Sequence, residues 1–299
     1  MRRWSLTCLP LAIAALALAL PGAAHAKRAT PRYYVALGDS LSQGQQPDLH
    51  GVTRNTTQGY TDDLFARERV GIPSLRLVKL GCGGESTTSM LTGHGNEAGA
   101  RTFHCHPAGG SQLGAAVRFL HAHHHRGEVP LVTIDIGAND VNPCVSAANL
   151  GACLAKGLLA IKINTPKILR AVRRAAPAGT RFAGMTLYDP VLGAYFSPAG
   201  SAAHALALAS PGLLKNVNDD LTGSDLGAGF RTADVAGAFA SYSTQPTAWE
   251  GQTIPLNVAR VCSWTWACQT PPSGPNIHAN KNGYQVIANA FAKVVGRLR

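Results

Sequence analysis

Acidic residues are scarce in this sequence. It has 16 Asp and Glu against 27 Lys and Arg, which gives a formal net charge of +11 over 299 residues. The basic residues are scattered, with no aromatic residues interleaved among them, and this pattern disfavours nucleic-acid binding. The charge instead favours loose contact with anionic surfaces.

Long apolar runs are missing after the first 20 residues, so we expect no membrane-spanning segment in the rest of the chain. The N-terminus combines two arginines, an apolar run from Leu9 to Leu20 and the small residues of Ala24-His25-Ala26, which is typical of a secretory signal peptide. The sequence therefore predicts a signal peptide over residues 1–26 and secretion of the mature protein. Residues 27–299 contain no Pro/Ser-rich linker and no internal repeat, which indicates a single domain.

Closely spaced cysteine pairs of the C-x-x-C type are absent, which argues against a zinc site. Six cysteines follow the predicted signal peptide, and an even number in an exported chain indicates disulfides, although many connectivities are open. Their order along the chain suggests three local pairs, Cys82–Cys105, Cys144–Cys153 and Cys262–Cys268. Four histidines at positions 121 and 123–125 fit a solvated helix end better than a metal site. We expect neither a metal nor a cofactor.

Strand-like and helix-like segments alternate along the chain. The strand-like segments lie at residues 33–37, 75–80, 131–136, 181–186 and 230–235. The helix-like segments lie at residues 60–70, 112–125, 149–176 with a break near Pro166, 201–220 and 282–298. This alternation predicts an α/β fold with helices on both faces of a central, mostly parallel five-stranded sheet. Residues 237–275 look irregular, and Trp249, Trp264 and Trp266 there either line an apolar groove or cover the core.

Three predicted strands end in turns that contain glycine and polar residues. Ser40 follows the first strand, Gly84 the second and Asn139 the third. Ligands bind at the carboxyl ends of parallel strands, so these groups should meet at one edge of the sheet. His278 lies far along the chain, just before the last helix, which is a common arrangement for a serine nucleophile and its base.

Four separated blocks together resemble the SGNH (GDSL) hydrolase family. They are Gly38-Asp39-Ser40-Leu41, the Gly84 turn, Gly137-x-Asn139-Asp140, and His278 ahead of a helix that contains Gly283-Tyr284. The six-cysteine layout also looks like the secreted actinobacterial lipase and esterase branch of that family.

The resemblance implies a three-layer α/β/α fold and ester hydrolysis without a metal or cofactor. It also implies that Ser40 is the nucleophile and His278 the general base. The backbone N–H groups of Ser40 and Gly84 and the side chain of Asn139 match the family's oxyanion donors.

One position departs from the family pattern, because Pro275 stands where a carboxylate usually precedes the histidine. The sequence therefore predicts a Ser–His dyad in which a main-chain carbonyl near Asn276 accepts from Nδ1 of His278. A carbonyl can only accept, so it would fix the correct tautomer of the imidazole. A remote acid, Asp225 or Asp234, remains the alternative.

We therefore expect a secreted, monomeric serine esterase or lipase that acts on small-molecule or lipid esters, including phospholipid acyl esters. Because the ordinary pKa of histidine is near 6.5, activity should be poor in acid and rise towards neutral pH. Two alternatives stay open. One is a non-catalytic lipid- or glycan-binding protein on a degraded hydrolase scaffold, and the other is a polysaccharide O-deacetylase.

Overall fold

The central sheet has five strands, and all of its neighbouring pairs are parallel. The computed structural model describes Met1, residues 30–106 and residues 110–299; the predicted signal peptide, apart from Met1, lies outside the described residues. Pro31–Arg299 forms one compact unit, and nearly all of the other unit, Met1–Thr30, is outside the description.

The strands are β1 Arg32–Gly38, β2 Gln46–Pro47, β3 Thr53–Arg54, β4 Leu75–Lys79, β5 Leu131–Asp135, β6 Arg181–Met185, β7 Arg231–Ala233, β8 Pro246–Trp249 and β9 Gln252–Pro255. The sheet has the strand order β4-β1-β5-β6-β7, and two short antiparallel hairpins, β2–β3 and β8–β9, lie outside it. The interior strand β1 has a neighbour on each side, with Val35 paired to Val78 of β4 and to Val132 of β5. Its buried apolar run suits that interior place, since a strand covered on both faces does not alternate with polar residues.

Helices cover both faces of the sheet. They are α1 Tyr60–Arg69, α2 Thr87–Thr92, α3 Glu97–Phe103, α4 Gln112–Ala122, α5 Ala138–Val141, α6 Leu150–Ala175, α7 Ser201–Ala228, α8 Val235–Ala238, α9 Leu256–Trp264 and α10 Lys281–Val295. Two 3₁₀ helices lie at Asn142–Ser146 and Pro190–Phe196. No helix in the described part of the chain is both long enough and apolar enough to cross a membrane.

Alternate residues of β1 face two separate apolar layers. Val35 and Leu37 pack with α2, α4 and α6, whereas Tyr34 and Ala36 pack with α1 and α10. Helix α7 packs against α6 and β6. The expected three-layer α/β/α architecture is therefore confirmed, with a sheet that is wholly rather than mostly parallel.

Two long helices contain an internal proline, and at one of these prolines the sequence predicts a break. Helix α6 is continuous through Pro166, so the predicted break there is wrong. A proline removes one helical hydrogen bond, and the burial of Thr165, Ile168 and Leu169 beside it holds the helix together. Helix α7 likewise passes Pro211 and continues eight residues beyond Asp220 before Gly229, at φ 72°, ends it.

The segment expected to be irregular, residues 237–275, contains the β8–β9 hairpin and helix α9. Its apolar positions, such as Ile254, Val258 and Val261, join the core. Helix α4 is shorter than the predicted helix over residues 112–125 and ends at Ala122. His123 leaves helical geometry, packs on the rings of Tyr33 and Phe119, and forms a hydrogen bond with Glu128.

The six cysteines pair as Cys82–Cys105, Cys144–Cys153 and Cys262–Cys268. The first bridge closes the loop after β4, and the second joins the 3₁₀ helix Asn142–Ser146 to the start of α6. The third ties α9 to the turn before His278. Each bridge therefore pins a segment near the carboxyl edge of the sheet or the elements that extend from it.

Candidate active site

Ser40 lies in the turn that follows β1. Gly38 has φ 136°, and a Cβ atom there would sit 2.2 Å from the carbonyl oxygen of Asp135, so only glycine fits. The turn is fixed by the N–H of Leu41, which donates to Asp39 Oδ1 at 2.9 Å, and by the Ser42 hydroxyl, which donates to the Asp39 carbonyl at 2.8 Å. Ser40 is thereby held at the edge of the sheet, where it lines an apolar cavity.

A buried pair of carboxyl groups, Asp39 and Asp135, lies beneath this turn. Asp135 Oδ2 accepts the Asp39 N–H at 3.1 Å, and Asp135 Oδ1 accepts the Tyr60 hydroxyl at 2.5 Å. Burial raises the pKa of Asp39 to about 6. Burial, and then repulsion from Asp39, raises the pKa of Asp135 well above its ordinary value. Both carboxyl groups are therefore harder to ionise than exposed ones, and the two titrate as a coupled pair.

Two of the predicted oxyanion donors are free backbone groups. Neither the N–H of Ser40 nor that of Gly84 donates to an acceptor within residues 30–106 and 110–299. Gly84 has φ 79°, a conformation that suits glycine, and it follows the strand β4 as the sequence predicts.

The third predicted donor, Asn139, is already engaged. Its Nδ2 donates to Asp39 Oδ2 at 3.2 Å and to the carbonyl oxygen of Glu85 at 3.0 Å. These bonds hold the amide against the Ser40 turn and the Gly84 loop. Because Nδ2 carries two hydrogens, Asn139 must share or release one of them to donate to a third oxygen.

His278 lies in the loop that leads into α10, whose first turn is capped when Asn280 accepts from the Gly283 N–H at 3.1 Å. The loop is held from both sides: the Trp266 N–H donates to the His278 carbonyl at 3.0 Å, and the Tyr188 hydroxyl donates to the Ile277 carbonyl at 2.6 Å. His278 itself is buried.

Asn276 Oδ1 accepts two hydrogen bonds from His278. The backbone N–H donates at 3.0 Å and ring Nδ1 lies at 2.6 Å from the same oxygen. A backbone N–H can only donate, so the amide must turn its oxygen towards His278, and Nδ1 must then carry the proton. Nε2 is left unprotonated, which is the tautomer a general base requires.

The acceptor is thus the side-chain amide of Asn276, not the main-chain carbonyl expected from the sequence. The amide is itself oriented, because Nδ2 donates to Thr53 Oγ1 at 3.2 Å.

No carboxylate of the described residues hydrogen-bonds to His278. Asp225 accepts from Thr232 Oγ1 at 2.9 Å, and Asp234 accepts from the Gly237 N–H at 2.8 Å. Burial without a charged partner lowers the pKa of His278 to about 4. The sequence expectation of a pKa near 6.5 did not include this desolvation.

Ser40 and His278 line the same cavity, yet they are not hydrogen-bonded to each other in the part of the chain that the structure describes. The Ser40 hydroxyl instead donates to Asp39 Oδ1 at 3.5 Å, the outer limit of a hydrogen bond. Catalytic hydrogen bonds are often long in unliganded enzymes and tighten when substrate binds.

The cavity beside Ser40 is strongly apolar, and sequence reasoning missed the residues that form it. It encloses about 990 Å³ of non-atom space, its open mouth included. Aliphatic side chains of α6 and α7 form most of its wall: Leu150, Leu154, Leu158, Leu206, Leu213, Leu214 and Val217. The leucines at every fourth position of α6 were the available signal, since such spacing places them on one helix face.

The three tryptophans do not line this cavity. Trp249 and Trp264 pack on the core, with Trp249 stacked on Phe196 at 5.3 Å. Trp266 Nε1 donates to Gln46 Oε1 at 3.4 Å. Of the two roles weighed from the sequence, covering the core is therefore the one that Trp249 and Trp264 have.

One group of potential metal ligands occurs among the described residues, and it is Cys82, Glu85 and His106 rather than the histidines near position 123. The group does not fit a metal. Cys82 is bonded to Cys105, and the Glu85 carboxylate is paired with His106 Nε2 at 2.8 Å and accepts from Gln112 at 2.9 Å.

The fold is shared with solved lipase structures of low sequence identity. An extracellular lipase from Streptomyces rimosus is 19% identical, with a TM-score of 0.51, over 88% of this chain and 99% of that one. The lipase Lip_vut3 from a goat rumen metagenome is 13% identical, with a TM-score of 0.51, over 90% and 99%. A putative GDSL-like lipase from Parabacteroides merdae is 12% identical, with a TM-score of 0.50, over 89% and 96%.

Among curated protein sequences, none matches the chain significantly. The model of one protein family, described as GDSL-like lipase/acylhydrolase, matches residues 34–291, a span that runs from β1 to α10 and includes Ser40, Gly84, Asn139 and His278. The chain belongs to the GDSL-like lipase/acylhydrolase family.

Proposed function

We propose that this ester hydrolase cleaves lipid acyl esters at Ser40, with His278 as general base. The observation that carries the proposal is the shared position of Ser40 and His278 at an apolar cavity. Its aliphatic wall suits a fatty acyl chain, since each buried methylene contributes about 0.8 kcal/mol. Its polar lining includes Ser40, Asn139 and His278, the groups that would act on an ester carbonyl.

The reaction follows from the groups present. Nε2 of His278 takes the proton of the Ser40 hydroxyl as Oγ attacks the ester carbonyl carbon. The N–H groups of Ser40 and Gly84, joined by Asn139, donate to the oxyanion. The alcohol leaves with the proton from His278, and water then attacks the acyl-enzyme with His278 again acting as base. This releases the fatty acid and restores the Ser40 hydroxyl.

Asn276 replaces the usual carboxylate in only one of its roles. Its oxygen fixes the tautomer of His278, which is necessary for Nε2 to accept a proton. It carries no charge, so it stabilises the imidazolium less than Asp does. The enzyme thus works as a Ser–His dyad with a neutral positioning residue.

Two features favour a non-catalytic lipid-binding protein as the second candidate. The Ser40 hydroxyl bonds Asp39 rather than His278, and Asn139 has both amide hydrogens engaged. Deacetylation of a polysaccharide is less well supported, because a wall of leucine and valine offers few partners for sugar hydroxyls.

We propose that the protein is secreted after removal of residues 1–26. Three disulfides within the mature part support an oxidising compartment. Intact mass of protein recovered from the medium of an expressing host tests this, with a mature N-terminus at Lys27 expected.

The test of function uses p-nitrophenyl esters of 4, 8, 12 and 16 carbons. We expect hydrolysis of all but the most insoluble ester, and at least a 1,000-fold loss of kcat in Ser40→Ala, on the order of a triad deletion. Ser146→Ala, an exposed serine, is the matched control and should retain full activity. A wild type that binds these esters without releasing nitrophenol would support the non-catalytic candidate.

A further inference from the structure

Exposed apolar side chains are concentrated on the elements that form the cavity wall. Of the 14 large apolar side chains that are exposed in the described residues, eight lie on α6, the first half of α7, the two 3₁₀ helices or beside His278. They are Val145, Leu150, Leu159, Ile163, Phe196, Leu208, Leu213 and Ile277. Four of them, Val145, Leu150, Leu213 and Ile277, also line the cavity, so the exposed surface is continuous with the proposed acyl site.

The outward face of α6 combines these apolar residues with positive charge. Leu159 and Ile163 are exposed by 57% and 45%. Over its 26 residues the helix has no Asp or Glu, and it has six basic residues: Lys156, Lys162, Lys167, Arg170, Arg173 and Arg174. Apolar residues flanked by Lys and Arg are typical of helices that lie at a lipid–water interface.

The first half of α7 is uncharged. Residues 201–214 contain no Asp, Glu, Lys or Arg, and Leu208 and Leu213 are exposed there by 50% and 38%. Two carboxylates near this surface are not paired with a basic residue of α6. Asp140 is bonded to Thr87, and Asp189 is buried and bonded to Ser210.

We propose that the α6–α7 surface docks on anionic lipid aggregates, where the α6–α7 surface means the outer faces of α6 and of residues 201–214. Lysines would contact the anionic headgroups while Leu159, Leu208 and Leu213 enter the acyl boundary, with the cavity mouth at the interface. Delivery of an acyl chain to Ser40 rests on the proposed function, whereas the docking itself does not.

The charge of α6 favours a lipid surface over a second copy of this chain as the partner of the α6–α7 surface. Pairing two α6 helices across a symmetric interface would bring cations against cations without an acidic partner, which disfavours self-association. An anionic bilayer supplies the opposite charge, and each basic residue near it strengthens binding roughly five-fold at physiological salt.

Binding is measured with Ser40→Ala protein, so that lipid is not consumed, by co-sedimentation with phosphatidylglycerol or phosphatidylcholine vesicles. We expect at least a ten-fold preference for phosphatidylglycerol and a loss of that preference in high salt. Adding Lys156→Glu/Lys162→Glu should weaken binding about 25-fold or more. Arg76→Glu/Lys293→Glu, on β4 and α10, makes the same change of net charge away from this surface and should weaken it less than three-fold.

A second pair of variants tests the apolar part on one helix. Leu208→Gln should weaken vesicle binding several-fold, whereas Leu226→Gln, at the far end of α7 and exposed by 80%, should not. Equal effects of the charge pairs, or of the two leucine variants, would overturn the proposal. So would concentration-dependent dimerisation of wild type in size-exclusion chromatography that Leu208→Gln abolishes.

Hydrolysis of a soluble four-carbon ester separates this proposal from the proposed function. With Ser40 restored, all the surface variants should keep wild-type activity on that ester within two-fold. If they do and vesicle binding is unselective, the docking proposal fails and the esterase stands. If wild type cannot hydrolyse the ester but vesicle binding follows the expected pattern, the reaction fails and the docking stands.

Discussion

Replacing Asn276 with aspartate tests how His278 is held. The substitution keeps an oxygen acceptor at the position now 2.6 Å from His278 Nδ1 and adds a negative charge to it. It replaces the amide nitrogen with an oxygen and keeps the number of non-hydrogen atoms in the side chain. The bond to Thr53 inverts, because the hydroxyl of Thr53 can donate to the new carboxylate as readily as it accepts from the amide.

The size of the effect follows from the environment of His278. Burial now lowers its pKa to about 4, and no carboxylate opposes that effect. A charge in direct contact with the ring favours the imidazolium and raises a pKa by about 1–3 units. We therefore expect the pKa of His278 to rise to roughly 5–7 in Asn276→Asp.

The assay is the pH profile of kcat/KM on a soluble ester, which reports the ionisation of the free enzyme. In wild type the rate should stay high down to mildly acidic pH and fall only near pH 4, since Nε2 accepts a proton only when the ring is neutral. In Asn276→Asp this acid limb should move up by at least one pH unit. Asn276→Ala should lower kcat/KM by roughly 5- to 150-fold, from about 1–3 kcal/mol for an unpaired buried group. An acid limb near pH 6.5 in wild type, or one that Asn276→Asp does not move, would refute the reasoning.

Substitutions at three other positions probe two buried acids and the cavity. Asp135→Asn should retain activity within a few-fold, because its amide is neutral and can donate to Asp39 as a protonated carboxyl would, whereas Asp135→Leu should lose at least ten-fold in kcat. Burial raises the pKa of Asp225 to about 7, so the folded state keeps a proton that the unfolded chain releases near pH 4, and stability falls as the pH rises between these values. Asp225→Asn should therefore stabilise the protein at pH 8, by up to about 4 kcal/mol, and much less at pH 5. Leu154→Trp should fill the cavity and reduce kcat/KM on a 12-carbon ester on the order of 100-fold, as expected when about four methylenes lose burial.

Each of these predictions has its own control. Equal losses in Asp135→Asn and Asp135→Leu would mean that the site requires a carboxyl group at this position rather than a hydrogen-bond donor. Urea unfolding of Asp225→Asn at both pH values decides the second prediction, and a gain that does not depend on pH would contradict it. For the third, Ala155→Trp places the same ring on the outer face of α6, and it should leave the preference for 12-carbon over four-carbon esters unchanged.

The sheet and its site edge could be predicted because both depend on local patterns. Buried runs such as Leu131–Asp135 identify strands, and glycines such as Gly38 mark where the chain must turn with positive φ. Parallel connection then brings the strand ends to one edge. The disulfide pairing could likewise be predicted from the order of the cysteines, because each bridge joins two cysteines that are near each other along the chain.

The cavity and the carboxyl pair depend on contacts between distant segments. Leu154 of α6 and Leu213 of α7 meet only because the helices pack together, and Asp39 meets Asp135 because β1 pairs with β5. The continuity of α6 through Pro166 has the same origin, since tertiary burial outweighs a local propensity. The hydrogen bond between His278 Nδ1 and the side-chain oxygen of Asn276 depends on the conformation of the loop, which the residue type alone does not specify. The roles of Ser40, Gly84, Asn139 and His278 remain predictions.

The central claim is that Ser40 is a nucleophile whose proton passes to His278, and covalent labelling tests it most directly. Wild type is incubated with a fluorophosphonate probe and its intact mass and labelled peptide are followed over time. We expect one adduct, on Ser40, and labelling at least 100-fold slower in His278→Ala, as loss of a general base requires. Unmodified wild type, an adduct on another residue, or labelling of His278→Ala at the wild-type rate would contradict the claim.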